Sequence, residues 1–300
     1  MRFALLLILL FLPCSLSAFN KQYHQLRWQE VNTRYFRVIY HDEMEKSLPA
    51  LLGILEQQFT RLKDLFEIHP RRRLEIVLKS FADEDRSYID YKNNQIHLFL
   101  TGDFSLNRSS NFSRKSGALL CKHFIFRLLG QSQTPIVRKS RFLALPEWFI
   151  EGFSAFLFAE LSELDRINIL RSYENRTIPG LSALANFKNR RKRTKETLKT
   201  TSLAFVQFLF TGKSTGFIRA FLKYLGRDNY FFLTVFEKRF NNSPYYYYQQ
   251  FLDSLKKEIE DNFPDRLAKR RKIFIPGKQS QKNARLSRKG EGVYFLEDRK

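Results

Sequence analysis

The sequence predicts an α+β fold, in which a small N-terminal mixed β-sheet with one helix is followed by a mainly helical lobe. Short runs of alternating apolar residues flank one amphipathic helix pattern between residues 34 and 102. After residue 116, apolar residues recur mainly with the 3.6-residue period of helices. The chain of 300 residues is long enough to bury a hydrophobic core in one or two domains.

The first 18 residues are typical of a secretory signal peptide. Arg2 precedes ten apolar residues, Phe3 to Leu12, and a run of small residues ends at Ala18. This run is too short to cross a bilayer, which needs about 20 apolar residues. We therefore expect an exported, periplasmic or envelope-associated protein without an integral membrane segment after cleavage. Lipid attachment at Cys14 is less favoured, because the residues before it are not small.

The sheet part is predicted to span residues 26–103. Residues 34–41 (RYFRVIYH) predict a strand, and Asp42 begins a helix whose apolar positions continue to Pro70. Residues 74–80 predict a second strand. Residues 87–102 predict a β-hairpin that turns at Lys92-Asn93-Asn94.

The helical part is predicted to span residues 112–262. A polar linker at 107–117 precedes it, Gly130 is placed to end its first helix, and Pro146 is placed to begin the second. Residues 177–200 are basic and polar and predict a loop. The helix patterns cover residues 116–130, 146–164, 202–210, 214–226 and 244–263.

The net charge of +22 is concentrated in clusters that include residues 71–73, 190–193 and 269–272. Such clusters suit anionic lipid head groups, polyanionic surface material or nucleic acid, although a solvated surface is the plainer interpretation. Export and the lack of a nucleic-acid-binding motif argue against nucleic acid. Once Cys14 leaves with the signal, Cys121 cannot form an internal disulfide and is expected to be a buried, inert thiol.

Residues 119–131 (LLCKHFIFRLLGQ) form an apolar helix pattern that carries His123 and Arg127. Residues four apart lie on the same side of a helix, which is the spacing of the zinc motif H-E-x-x-H. In this register Phe124 occupies the glutamate position and Arg127 the second histidine position. Glu151 follows within the next predicted helix, where the small residue Gly152 permits close approach by a neighbour. A buried carboxylate there needs a metal, histidine or arginine as its partner.

The sequence resembles the peptidase MA-like (gluzincin) metallopeptidase domains of exported bacterial proteins. The resemblance covers about residues 26–262 and rests on PEWFIEG at 146–152, together with the later runs AFVQFLF, FIRAFLKYLG and FLDSLKKEI. It implies a zincin-like fold, with Glu151 as the third zinc ligand and His123 as the first histidine ligand. Phe124 and Arg127 depart from the family pattern.

These departures predict a site without catalytic residues. A hydrolytic zinc site needs three protein ligands and a base, whereas this chain keeps two vestigial ligand positions and places a permanent cation at the third. We expect neither metal nor other cofactor. Arg127 is predicted to replace the metal as the partner of Glu151, with His123 joining by a hydrogen bond. Alternatively, Glu151 pairs with another base and His123 is an ordinary core histidine.

The predicted function is that of a non-catalytic, exported pseudopeptidase domain. It would bind a peptide, a protein partner or an anionic envelope component through the former cleft and a basic rim formed by Arg190, Arg191, Lys192 and Arg193. The alternative is an active zinc-dependent metallopeptidase with an atypical ligand set. Residues 263–300 resemble the start of a TolB-like β-propeller blade and are expected to be poorly ordered, because only one strand-like run, at 292–298, is visible.

Overall fold

A mixed five-stranded sheet and a larger set of helices make up most of the chain that the structure describes. The structure is a computed structural model, and it describes residues 27–69, 72–79, 87–100, 106–129, 134–187, 191–227, 231–262, 284–286 and 293–295. These residues confirm the predicted α+β class. No helix among them is long and apolar enough to cross a membrane.

The sheet has the strand order β1-β2-β3-β5-β4. Strands β2, β3 and β5 run parallel to one another, and the two edge strands β1 and β4 are antiparallel to their neighbours. The predicted strands and hairpin are confirmed, whereas the sequence prediction missed β1, which buries no side chain fully. The strands are β1 Trp28–Asn32, β2 Phe36–His41, β3 Leu74–Lys79, β4 Tyr88–Asp90 and β5 Gln95–Phe99.

Helix α1, Leu48–Phe66, lies between β2 and β3 along the chain and packs against both the sheet and the helical region. It follows a short 3-10 turn that begins at Asp42, and its C-cap is Glu67, whose φ of 54° is left-handed. The Phe59 ring lies 5.1 Å from the Phe36 ring of β2 and 5.1 Å from the Phe124 ring. This aromatic contact joins the sheet, α1 and the next helix.

The helical region differs from the sequence prediction mainly in where helices begin and end. The predicted linker at 107–117 is helical, because Phe112 and Ser116 are buried one turn apart and Gln58 accepts a hydrogen bond from Ser116. The bounds are α2 Leu106–Leu128, α3 Pro135–Leu143, α4 Glu147–Phe156, α5 Glu163–Glu174, α6 Leu181–Ala185, α7 Lys192–Phe210, α8 Thr215–Leu225, α9 Phe232–Phe240 and α10 Pro244–Asn262.

Two further predictions for this region are wrong. The predicted helix 146–164 is two helices, because α4 ends at Phe156 and Ser162 caps the new helix α5 by accepting from the backbone N–H of Asp165. The predicted loop at 177–200 contains α6 and the first half of α7. The predicted C-cap Gly130 lies outside the described residues.

Helix α4 packs closely against α7. A Cβ atom at Gly152 would lie 2.4 Å from the Ser202 carbonyl oxygen and 2.7 Å from Val206 Cγ2, so only glycine fits there. The predicted close approach at Gly152 is therefore confirmed. Beside it lies an aromatic core that includes Trp148, Phe149, Phe153, Phe205, Phe221 and Phe232.

The chain divides into two compact units between Asp253 and Ser254, within α10. In the second unit, β6 (Ala284–Leu286) pairs antiparallel with β7 (Val293–Phe295). The sequence prediction recognised only the second of these strands. The other residues of the tail, and the predicted signal peptide, lie outside the described residues.

Candidate functional site

Helix α2 directs its polar side chains into different environments around residues 122–127. Consecutive residues of an α-helix are about 100° apart around its axis, so Lys122, His123 and Arg127 do not all face one neighbour. Phe124 points towards α1, with its ring 5.1 Å from that of Phe59 and 5.5 Å from that of Phe66. This core contact fixes the rotation of α2 about its axis.

Glu151 is paired with two lysines, so the alternative of another base holds, although neither lysine was named from the sequence. Lys122 Nζ donates a hydrogen bond to Glu151 Oε1 at 2.7 Å, and Lys199 Nζ of α7 lies 3.5 Å from Glu151 Oε2. The side chains of Lys122 and Glu151 are 16% and 24% exposed, whereas that of Lys199 is 53% exposed. Three adjacent helices, α2, α4 and α7, therefore meet at one carboxylate.

The electrostatics of this cluster keep Glu151 ionised. Burial acts to raise the pKa of the carboxyl, but the charges and hydrogen bonds of Lys122 and Lys199 outweigh it and leave the pKa below its usual value. We call these three residues the Glu151 cluster. The two lysine ammonium groups of this cluster lie beside Glu151, the residue that the resemblance implies as a zinc ligand.

The predicted pairing of Arg127 with Glu151 is wrong. Arg127 Nη1 instead donates to Asn94 Oδ1 at 3.4 Å, in the turn between β4 and β5. Arg127 is half buried, and burial and the nearby charge of Arg138 lower its pKa. Because Lys122 and Arg127 are five positions apart, they leave the helix on different sides, and the packing of Phe124 directs Lys122 towards α4.

The predicted hydrogen bond between His123 and Glu151 is absent. His123 is 5% exposed, and its Nδ1 has no hydrogen-bond partner among the described residues. It lines a small void with Asn94 and Arg127. Burial, with smaller effects of Arg127 and Arg138, lowers the pKa of His123 to about 3, so the imidazole is neutral at physiological pH.

The other predicted residues are placed as follows. Phe124, at the supposed base position, is 2% exposed and cannot contact a substrate there. Arg191 is exposed and precedes the first residue of α7. Arg190 lies outside the described residues, and Lys192 and Arg193 are described only as the first residues of that helix. Cys121 is buried as predicted, and burial raises its pKa to about 12.

Within the described ranges, no three histidine, cysteine, aspartate or glutamate side chains are close enough together to hold a metal ion. The immediate partners of Glu151 are cations, which would repel a metal at this carboxylate.

The sequence does contain a signal for Lys122. It is the first charged residue in the apolar run 119–131, and it precedes Phe126 by four positions, so these two residues share a helix face. Lys199 was missed because residues 177–200 were interpreted as a loop. Comparison of the chain with family models and with curated proteins finds no match. Function is therefore inferred from the residues and their geometry.

Proposed function

We propose that this protein is a non-catalytic, gluzincin-like domain that acts by binding in the cell envelope. The observation that carries this proposal is the ion pair between Lys122 and Glu151, at 2.7 Å, between two helices that resemble those of a zinc peptidase. In such an arrangement a metal would provide the positive charge beside the glutamate. Here lysine ammonium groups provide it.

The contacts of Lys122 also suggest a different register for the lost zinc motif. Because Lys122 faces Glu151, it takes the place of the first histidine, His123 that of the general base and Phe126 that of the second histidine. Phe126 is buried against Tyr91 and Phe142, with ring centroids 4.4 and 5.6 Å away. Burial, with a smaller effect of the Glu151 charge, raises the pKa of Tyr91.

This register supports the loss of hydrolytic activity more strongly than the sequence alone. None of the three motif positions carries the residue type that zinc hydrolysis needs, since they hold lysine, histidine and phenylalanine. A neutral histidine at the base position could accept a proton in principle, but it would have no metal-bound water to act on. We therefore assign the Glu151 cluster a structural role in holding three helices together.

The test measures zinc content and casein hydrolysis in the wild-type protein and in two variants. The first variant restores the motif in the register of Glu151, with Lys122→His, His123→Glu, Phe126→His and Lys199→Met. The second has Phe124→Glu, Arg127→His and Lys199→Met, which restores the motif one residue away. We expect zinc to bind the first variant in a 1:1 ratio and to bind neither the wild type nor the second variant.

Chelator-sensitive hydrolysis by the wild type, or stoichiometric zinc in it, would overturn the proposal in favour of an active metallopeptidase. If the first variant keeps its circular dichroism spectrum and binds no zinc, the Glu151 cluster does not occupy the position of a former zinc site.

A further inference from the structure

An apolar groove of about 1450 Å³ lies among the helices of the first unit, and the proposed function does not use it. It is formed by residues other than those of the Glu151 cluster. Trp148, Leu181, Phe232 and Tyr248 are among the side chains that line it. Pockets for drug-sized molecules are usually about 300–1000 Å³, so this groove suits a larger occupant.

The rim of the groove exposes large apolar side chains. Phe231 is 81% exposed, and Leu233, Tyr245 and Val137 also line the groove while being exposed to solvent. Ile136, next to Val137 at the start of α3, is 79% exposed. Soluble proteins rarely leave large contiguous apolar patches uncovered, so this surface indicates an interaction.

Charge narrows the choice of occupant. Helix α3 carries Arg138, Lys139 and Arg141 and no acidic residue, and Arg141 is the one charged residue among the described residues that line the groove. Helices that expose both aliphatic and basic residues are typical of proteins that bind anionic membrane surfaces. A second copy of this chain is disfavoured, because two molecules of charge +22 repel each other.

Arg141 also positions this basic helix at the groove. Its guanidinium donates hydrogen bonds to the backbone carbonyls of Leu129, Leu225 and Arg227 at 2.8, 3.2 and 2.6 Å. These bonds tie α3 to the C-terminal ends of α2 and α8. The exposed cation Lys139 is therefore held on the same short helix as Val137, which lines the rim.

We propose that this groove docks on an anionic phospholipid bilayer and takes up lipid acyl chains, while the exposed Lys139 of α3 contacts the head groups. Phe231, Leu233, Tyr245 and Val137 would enter the interface, and Trp148 would lie against the bound chains. This proposal does not depend on the loss of the zinc site.

The position of Trp148 permits a test specific to the groove. The chain has two tryptophans, so Trp28→Phe leaves Trp148 as the single fluorophore. The full chain with this substitution is titrated with vesicles of phosphatidylglycerol that carry brominated acyl chains, which quench a tryptophan only in near contact. Unbrominated phosphatidylglycerol and brominated phosphatidylcholine serve as controls, and the titration is repeated at high salt.

Variants then locate the contact. Adding Phe231→Ser and Leu233→Ser should raise the lipid concentration needed for half-maximal quenching by at least about tenfold, because two apolar side chains no longer enter the bilayer. The matched control is Leu164→Ser, which removes an exposed apolar side chain from α5 and should change nothing. Lys139→Gln should reduce binding to phosphatidylglycerol and its dependence on salt.

Three results would overturn the proposal. The first is that brominated phosphatidylglycerol does not quench Trp148 at saturating lipid. The second is that quenching is equally strong in the Phe231→Ser, Leu233→Ser variant. The third is that sedimentation shows a dimer that these two substitutions dissociate, which would identify a second copy of the chain as the occupant.

Discussion

At the scale of single residues, Lys122 and Lys199 contact the same carboxylate from very different surroundings. Lys122 is largely buried and makes the shorter contact, whereas Lys199 is half exposed and 3.5 Å away. Exposed ion pairs contribute about 0–1 kcal/mol to stability, but removing one partner from a buried pair costs more, because the remaining charge is left desolvated. The two lysines should therefore contribute unequally.

We expect Lys122→Met to lower the free energy of unfolding by about 1–3 kcal/mol, and Lys199→Met to lower it by less than about 1 kcal/mol. Urea denaturation at pH 7 measures both. Because the pKa of Glu151 is lowered, the ion pair stabilises the fold above the unfolded pKa and is lost as the pH falls through the folded pKa. The loss of stability caused by Lys122→Met should therefore be smaller in acid. Equal losses of stability for Lys122→Met and Lys199→Met would contradict this account.

His123 gives the fold a second dependence on pH. Its folded pKa of about 3 lies below the unfolded value of about 6.5, so between these values only the unfolded chain binds the proton. Stability must then fall as the pH falls from 6.5, by at most about 1.4 kcal/mol per pH unit. The nearby cations Arg127 and Arg138 act in the same direction as burial.

We expect His123→Gln to remove this term, so that the loss of stability between pH 7 and pH 5 is about 2 kcal/mol smaller than in the wild type. Urea denaturation at the two pH values measures the difference. Burial also lowers the pKa of His41, so the variant should keep some acid sensitivity. An unchanged dependence on pH would show that His123 takes up its proton in the folded protein as readily as in the unfolded chain.

At the scale of helices, replacing glycine by alanine should change stability in opposite directions in α1 and α4. Gly152 lies against the backbone of α7, whereas a Cβ atom at the exposed Gly53 in α1 would meet nothing within 4 Å. Alanine is a better helix former than glycine by about 1 kcal/mol, but an added methyl group in a tight contact forces the helices apart.

We expect Gly152→Ala to lower the free energy of unfolding by about 1–3 kcal/mol and Gly53→Ala to raise it by about 0.5–1 kcal/mol. Thermal and urea unfolding of the two variants measure the contrast. A stabilised Gly152→Ala variant would mean that α4 and α7 are not in close contact at this point.

The elements that the sequence predicted best are those with strong apolar periodicity, such as α1, α8 and the β4–β5 hairpin. The start of α2 was missed because Phe112 is the one apolar residue in a polar stretch, and its helix is stabilised by contacts such as the Gln58–Ser116 hydrogen bond. Local sequence does not encode such contacts.

The candidate site was predicted only in part, because its geometry also depends on tertiary contacts that local sequence does not encode. The sequence prediction required a metal, histidine or arginine beside Glu151 and favoured Arg127, whereas Glu151 pairs with lysines, which only the alternative of another base allowed. Gly152 correctly indicated a close neighbour. Whether Lys122 or Arg127 faces Glu151 depends on how far α2 is rotated about its axis, which the sequence does not show. The packing of Phe124 against Phe59 and Phe66 sets this rotation, and it is a tertiary contact.

At the scale of the whole molecule, the charge of +22 is the dominant electrostatic feature. Like charges repel more strongly in the compact state than in the unfolded chain, so this excess opposes folding. Salt screens the repulsion, with a Debye length of about 10 Å at 0.1 M. It also weakens the exposed ion pairs, such as that between Arg37 and Glu30, but these contribute little.

We therefore expect the melting temperature to rise by several degrees between low salt and roughly 0.3 M sodium chloride, as measured by circular dichroism. The matched variant has Lys46→Glu, Lys115→Glu and Lys223→Glu, three exposed positions at which each substitution lowers the net charge by two. Its melting temperature should be higher at low salt and should depend less on salt, because less repulsion remains to be screened. A melting temperature that falls with salt in the wild type would instead mean that attractive pairs outweigh the excess charge.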